Sequence, residues 1–202
     1  SNYSNLLVLS CAHIGTIRQI SNIPDGLEEL YCQDNSIAHL DGLGNNLLKL
    51  DCSRNKISKL NNLPFGLKWL DCSFNQIAHL DMIPECLEYL NCSHNLLVKL
   101  DDLPPSLFVL ICSNNRILSI DYLPTSLTEL YCSHNKIWKL TNLPPKLEKM
   151  HCSSNNIGQF VKLNELENLE EVDLSRNEIM GIGIDLRNCY NLRINYLNYL
   201  MD

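Results

Sequence analysis

Apolar and polar positions in this chain recur every 20 residues. Leu47, Leu50, Cys52, Ile57 and Leu60 are answered by Leu67, Leu70, Cys72, Ile77 and Leu80, and the spacing holds from residue 27 to residue 160. Leu30, Leu50, Leu70, Leu90, Leu110, Leu130 and Met150 form one column. Cys32, Cys52, Cys72, Cys92, Cys112, Cys132 and Cys152 form a second, and Asn35, Asn55, Asn75, Asn95, Asn115, Asn135 and Asn155 a third. Such columns arise when every copy is one coil of a solenoid and each residue touches its own image in the next coil. Around the Leu-x-Cys core the chain alternates apolar and variable positions, the period of a strand with side chains pointing in and out by turns. Stacked coils then predict a parallel sheet with neighbours about 4.8 Å apart. One coil cannot cover its own apolar side chains above and below, so the copies fold as an array.

The Asn column has a polar reason. Where the chain turns inward past the strand, it leaves backbone donors and acceptors without partners. A carboxamide offers two donors and an acceptor, and can bond its own coil and the adjoining one. Leu would leave those groups bare, and Asp lacks the donors. The uniform Ser53, Ser73, Ser93, Ser113, Ser133, Ser153 and Ser175 column predicts a turn-stabilising hydroxyl rather than recognition.

Before each strand stands L-P-x-x-L, as in Leu63-Pro64, Leu103-Pro104, Leu123-Pro124 and Leu143-Pro144, with Ile23-Pro24 and Ile83-Pro84 as variants and Leu43-Gly44 as a departure. Proline fixes φ and removes a donor, and 20 residues leave no room for a helix of several turns. The other side of each coil should be extended or a single tight turn. Together, L-x-x-L-x-C-S-x-N-x-I-x-x-L and L-P-x-x-L resemble the leucine-rich repeat. The L-P-x-x-L form is similar to the short repeats of bacterial secreted effectors, and the C-S-x-N form to repeats in large DNA viruses and amoebae. The resemblance implies a mainly β, α/β-class solenoid: a right-handed superhelix with a concave parallel sheet and an extended or short-turn convex side.

We read residues 1–202 as one leucine-rich-repeat domain. Residues 1–23 are an irregular first coil with one residue inserted between Cys11 and Cys32. Residues 24–163 are the regular coils. Residues 164–184 form a longer repeat, with 22 residues from Met150 to Val172 and a helical turn expected between Lys162 and Asp173. Residues 185–202 read as a degenerate cap, with Leu197, Leu200 and Met201 on a short helix. The outer strand edge of the first coil would be bare, an invitation to self-association at the N-terminal edge.

Composition narrows the function. A net charge of −7 lacks the basic footprint of nucleic-acid binding and does not suit an anionic membrane surface. No run approaches the about 18 apolar residues of a membrane span, and no signal-peptide pattern opens the sequence. Of the 10 cysteines, the column members and Cys11 sit where a small apolar core residue would serve. Free buried thiols are expected, and with them a reducing, intracellular setting, in host cytoplasm if the protein is viral or an effector. Cys86 and Cys189 lie off the column and receive no role. Close pairs of the C-x-x-C kind are absent, so no metal or other cofactor is expected. The six His read as solvated polar positions. We find no nucleophile elbow, P-loop, zincin or dinucleotide motif, and the chain reads as no enzyme.

The informative positions are those facing outward from the strands, where the repeat imposes no core constraint. Aligned coil by coil, they place Trp69, Phe74, Tyr89, Val109, Ile111 and Tyr131 together, with Asp71, Asn91 and His94 among them and charges of both signs at the ends. An apolar and aromatic cluster rimmed by polar groups is the pattern of a protein-binding patch. The expected function is a non-catalytic protein-interaction module gripping a protein partner on its concave face. The alternatives are the substrate-recognition part of a larger effector or ubiquitin-ligase-type protein, which the L-P-x-x-L resemblance implies, and a self-assembling structural protein.

Overall fold

The computed structural model describes residues 5–160, 163, 166–179 and 193–195, with backbone alone for 159–160 and 193–195. The strands in chain order are β1 (Val8–Ser10), β2 (Glu29–Tyr31), β3 (Lys49–Asp51), β4 (Trp69–Asp71), β5 (Tyr89–Asn91), β6 (Val109–Ile111), β7 (Glu129–Tyr131), β8 (Lys139–Leu140), β9 (Lys149–His151), β10 (Gln159–Phe160), β11 (Glu171–Asp173) and β12 (Arg193–Asn195). Ten of them form one parallel sheet in the order β1-β2-β3-β4-β5-β6-β7-β9-β11-β12, while β8 and β10 pair beside it. The register follows the sequence columns: Leu50 lies opposite Leu70, and Asp51 opposite Asp71. The odd steps are absorbed in register too, Leu9 against Leu30 and Val172 against Met150. Strand follows strand along the sheet because each coil is too short to cross over a neighbour.

Inside the coils the apolar columns form one continuous core, including Leu27, Leu30, Leu47, Leu50, Ile57, Leu67 and Leu70. Cys32, Cys52, Cys72, Cys92, Cys112, Cys132 and Cys152 are buried free thiols, Cys11 is half-buried and Cys86 exposed. Burial pushes the Cys32 and Cys92 thiols up to about 12 and raises those of Cys52 and Cys72 well above their ordinary value. Buried thiols of this kind are protonated and inert, so they pack as small hydrophobes.

The Asn ladder bonds as its chemistry predicts. Asn75 Nδ2 donates to the carbonyls of Cys52 (3.0 Å), Cys72 (3.1 Å) and Ser73 (3.1 Å), and its Oδ1 accepts from the Ile57 N–H at 2.9 Å. Asn55 and Asn95 repeat the pattern one coil to either side. Each side chain therefore ties two coils together. On the opposite side, the L-P-x-x-L segment closes a tight turn, the Pro carbonyl accepting from the Leu N–H three residues on: Pro64 from Leu67, Pro104 from Leu107, Pro124 from Leu127. In the longer repeat, the Leu166 N–H bonds to Leu163 and the Leu169 N–H to Leu166. Of the helical turn expected between Lys162 and Asp173, residues 162 and 164–165 lie outside the described residues, and Glu171–Asp173 is strand β11. Of the expected cap only Arg193–Asn195, strand β12, is described, and Cys189, Leu197, Leu200 and Met201 lie outside.

Backbone handedness adds what the columns did not announce. His13, Asp34, Arg54, Phe74, His94, Asn114, His134, Ser154 and Arg176, the variable position of S-x-N, have φ between 51° and 58°. Asn22, Gly42, Asn62, Met82, Asp102, Tyr122 and Asn142 form a second left-handed column, with φ from 52° to 69°. Asn and Gly tolerate this region, whereas Met82 and Tyr122 hold it against their own preference. The coil turns by these two left-handed residues, and their side chains are constrained by backbone shape as well as by use.

Candidate functional site

The outward face of the sheet is built from three columns. Trp69 opens β4 and Tyr89 opens β5, and the parallel register sets them opposite one another. Their rings stack at 4.9 Å with 7° between planes. Lys49 of β3 extends the row, its Nζ 4.6 Å from the Trp69 ring and 5.2 Å from that of Tyr31. Val109 follows Tyr89, then Glu129. The second row lies on the left-handed turns beyond the strands. Phe74 and His94 stack at 3.9 Å and 11°, and the Arg54 guanidinium lies 4.2 Å from the Phe74 ring. A one-coil step of about 4.8 Å suits ring-on-ring contact, so identical positions in successive coils become stacks.

Between these rows run Asp51, Asp71, Asn91, Ile111 and Tyr131. Asp71 Oδ1 accepts from the Ser73 N–H at 2.9 Å, and its Oδ2 accepts from Asn91 Nδ2 at 2.9 Å. Asn91 Oδ1 accepts from the Ser93 N–H and hydroxyl, as Asp51 Oδ1 does from Ser53. The sequence placed Asp71 and Asn91 among free recognition positions, yet much of their hydrogen-bonding capacity closes the turn that follows each strand. Ser53, Ser73, Ser93 and Ser175 serve that turn through the N–H, and Ser53 and Ser93 through the hydroxyl as well, whereas the Ser153 hydroxyl bonds to that of Ser133. Burial raises the Asp71 carboxyl, with the Asp51 charge adding to it and the bonds from Ser73 and Asn91 working against it. Burial likewise raises the Tyr89 hydroxyl.

Tyr131 sits at the far end of the patch. Its hydroxyl donates to Glu129 at 2.9 Å, and its ring meets that of His151 edge-on at 5.0 Å. Burial and the Glu129 bond push the Tyr131 hydroxyl up to about 12. Burial alone would raise Glu129, but hydrogen bonds from Lys149 and Tyr131 outweigh it and hold that carboxyl low. His94 titrates below its ordinary range, through burial first and then the Arg54 and His134 charges. The six His are not uniformly solvated: His39, His79 and His134 are exposed, while His151 is half-buried, 3.3 Å from Glu171.

The structure thus brings Trp69 and Tyr89 together, Phe74 and His94 together, and Asp71 and Asn91 together; Val109, Ile111 and Tyr131 continue the face across the next two coils. Lys49 and Arg54 belong to the patch as well. The aligned columns held that signal, since both precede an aromatic in the next coil. What the arrangement offers chemically is flat aromatic surface, aliphatic surface and fixed hydrogen-bonding groups. Among the described residues no group of His, Cys, Asp and Glu is placed to hold a metal ion, and no helix is long and apolar enough to cross a membrane.

Comparison with known proteins agrees with this geometry. The sequence model of the family described as Leucine Rich Repeat matches residues 126–150. No curated protein sequence gives a significant match. Among solved structures, YopM from Yersinia enterocolitica is 35% identical over 80% of this chain and 40% of its own, with a TM-score of 0.72. The leucine-rich effector YopM of Yersinia pestis is 30% identical over 89% of this chain and 51% of its own, with a TM-score of 0.82. The functional domain of InlJ from Listeria monocytogenes, described as including a cysteine ladder, is 28% identical over 94% of this chain and 48% of its own, with a TM-score of 0.70. The chain spans about half or less of the length of each. Periodic columns, parallel solenoid and these likenesses agree: the chain is a leucine-rich-repeat protein, similar in its repeats to the leucine-rich effectors of Yersinia.

Proposed function

We propose that this protein is a non-catalytic interaction module that grips a protein segment on the outward, concave face of its ten-stranded sheet. The observation that carries the reading is the stacked Trp69–Tyr89 pair continuing into Val109, Ile111 and Tyr131, all of them partly exposed on the sheet face. Large, rigid aromatics of this kind anchor protein interfaces, each worth roughly 2 kcal/mol or more on truncation. Asp71, Asn91, Phe74 and His94 flank the anchors, and their mutual bonds hold the polar groups in fixed positions before a partner arrives. Preorganisation of this kind reduces the ordering cost of binding. The reading takes residues 1–202 as one continuous domain and, from its buried free thiols, places the protein in a reducing compartment inside a cell.

The test compares affinity capture by the wild-type chain with capture by Trp69→Ala/Tyr89→Ala, with circular dichroism to confirm the fold. Partners held by the first and lost by the second support the sheet face; an identical partner set with an intact fold rejects it. A second reading has its own support. Because the chain spans 40% and 51% of the two Yersinia chains, it fits the recognition portion of a longer effector. The full open reading frame decides that.

A further inference from the structure

A second surface lies on the flank where each coil leaves its Asn turn. In that column Ala38, Ser58 and Ala78 are followed by Val98, Leu118 and Trp138. Backbone bonds run coil to coil through it, Leu118 N–H to the Val98 carbonyl at 3.2 Å and Trp138 N–H to the Leu118 carbonyl at 3.3 Å, so the three side chains stand in file. They are 41%, 53% and 53% exposed, and Leu96 beside Val98 is 38% exposed. Three large apolar residues in consecutive coils, all open to solvent, are not the scattered singles of an ordinary surface. The next column toward the sheet carries Arg116 and Lys136, both exposed and with no ion pair among the described residues. These cations stand out on a chain whose net charge is −7.

The spacing of the file selects the shape of what fits it. From Val98 to Trp138 are two coil steps, about 9.6 Å at the strand spacing of a parallel sheet. Two turns of an α-helix advance about 10.8 Å, a mismatch of about 1 Å. Two same-face steps of an extended strand advance roughly 13 Å and fall out of step by roughly 4 Å. A helix lying along the solenoid axis can set one apolar residue against each coil, and acidic residues on its adjoining face would meet Arg116 and Lys136. We propose that this flank is a docking surface for an acidic amphipathic helix of a partner protein. It is distinct from the sheet face and does not depend on it.

Trp138 is one of two tryptophans, so a Trp69→Phe chain reports on this flank alone. The probe is a synthetic helical peptide with leucines at every third or fourth position and glutamates alongside, compared with the same peptide bearing lysines for glutamates. We expect a saturable blue shift of Trp138 emission with the glutamate peptide and weakening of about tenfold or more in Arg116→Glu/Lys136→Glu. Both substitutions lie at exposed positions, and circular dichroism verifies the fold. Several results overturn the proposal: no response, equal binding of the lysine peptide, or indifference to the charge reversal. So does a shift produced by phosphatidylserine vesicles and not by the peptide, which would make the flank a membrane contact. A concentration-dependent shift without peptide would make it a contact between copies and would also reject it. Each outcome can be read apart from the Trp69/Tyr89 experiment, because the peptide and the reporter address a different face.

Discussion

Replacing Asn75 with Ala tests the inter-coil ladder directly. The substitution removes three donated bonds and one accepted bond. The losses are unequal. The Cys52 carbonyl keeps Asn55, the Cys72 carbonyl keeps Asn95, and the Ser73 carbonyl keeps the Arg54 N–H. Only the Ile57 N–H, inside the coil, is left with nothing. An orphaned buried donor costs ~1–3 kcal/mol, and the shared carbonyls add a further fraction, so we expect a loss of about 2–4 kcal/mol. Asn35 provides the internal comparison. Its Nδ2 bonds Cys11, Cys32 and Gln33, but its buried Oδ1 has no partner. The preceding coil is one residue longer, and no N–H reaches that oxygen. Asn35→Ala orphans no such N–H and removes an unsatisfied acceptor, so it should cost about 1 kcal/mol or less. Asn155→Ala controls for position near an end of the array, because Asn155 keeps the complete set of bonds. Urea unfolding followed by circular dichroism measures all three. The account predicts Asn75→Ala and Asn155→Ala together, both well below Asn35→Ala in stability. If Asn35→Ala costs as much as Asn75→Ala, the satisfied Oδ1 is not what the ladder is for.

Tyr122 holds φ at 62° and is 90% exposed, and Asn stands at its position in several other coils. Tyr122→Asn should stabilise by about 1 kcal/mol, read as a rise in urea midpoint at unchanged slope; a fall would show that Tyr122 packs on something. In the native protein, a thiol reagent should modify Cys86 quickly and Cys11 slowly, while the buried column reacts only on unfolding; fast native labelling of Cys32 or Cys92, whose thiols lie near 12, would contradict the burial. His94 has a folded pKa below its ordinary 6.5. Above that value both states are neutral, so its contribution to stability is complete there and is lost as pH falls from the unfolded value through the folded one. Proton NMR should find a depressed His94 midpoint that moves up in Arg54→Ala; no movement would remove the Arg54 charge as a cause.

The sequence by itself determined a great deal, because in a solenoid each residue's main neighbour is its own image 20 positions away. Period therefore became contact without any long-range guess: sheet register, core columns, thiols in file, the Asn ladder and the turn closed by L-P-x-x-L were all legible. The grid of outward residues was legible for the same reason, and Trp69 beside Tyr89 follows from a shared column. Tertiary structure decided what those residues do with their atoms. Asp71 and Asn91 looked free, but Ser73 and Ser93 lie one turn later in the same coil and claim their oxygens. Phe74 and His94 looked like strand-face residues and proved to occupy left-handed turns, which any side chain can enter once the surrounding coil fixes the backbone. The file of Val98, Leu118 and Trp138 was present in the columns yet carried no signal, because an apolar residue in a repeat reads as core until solvent exposure shows which way it points.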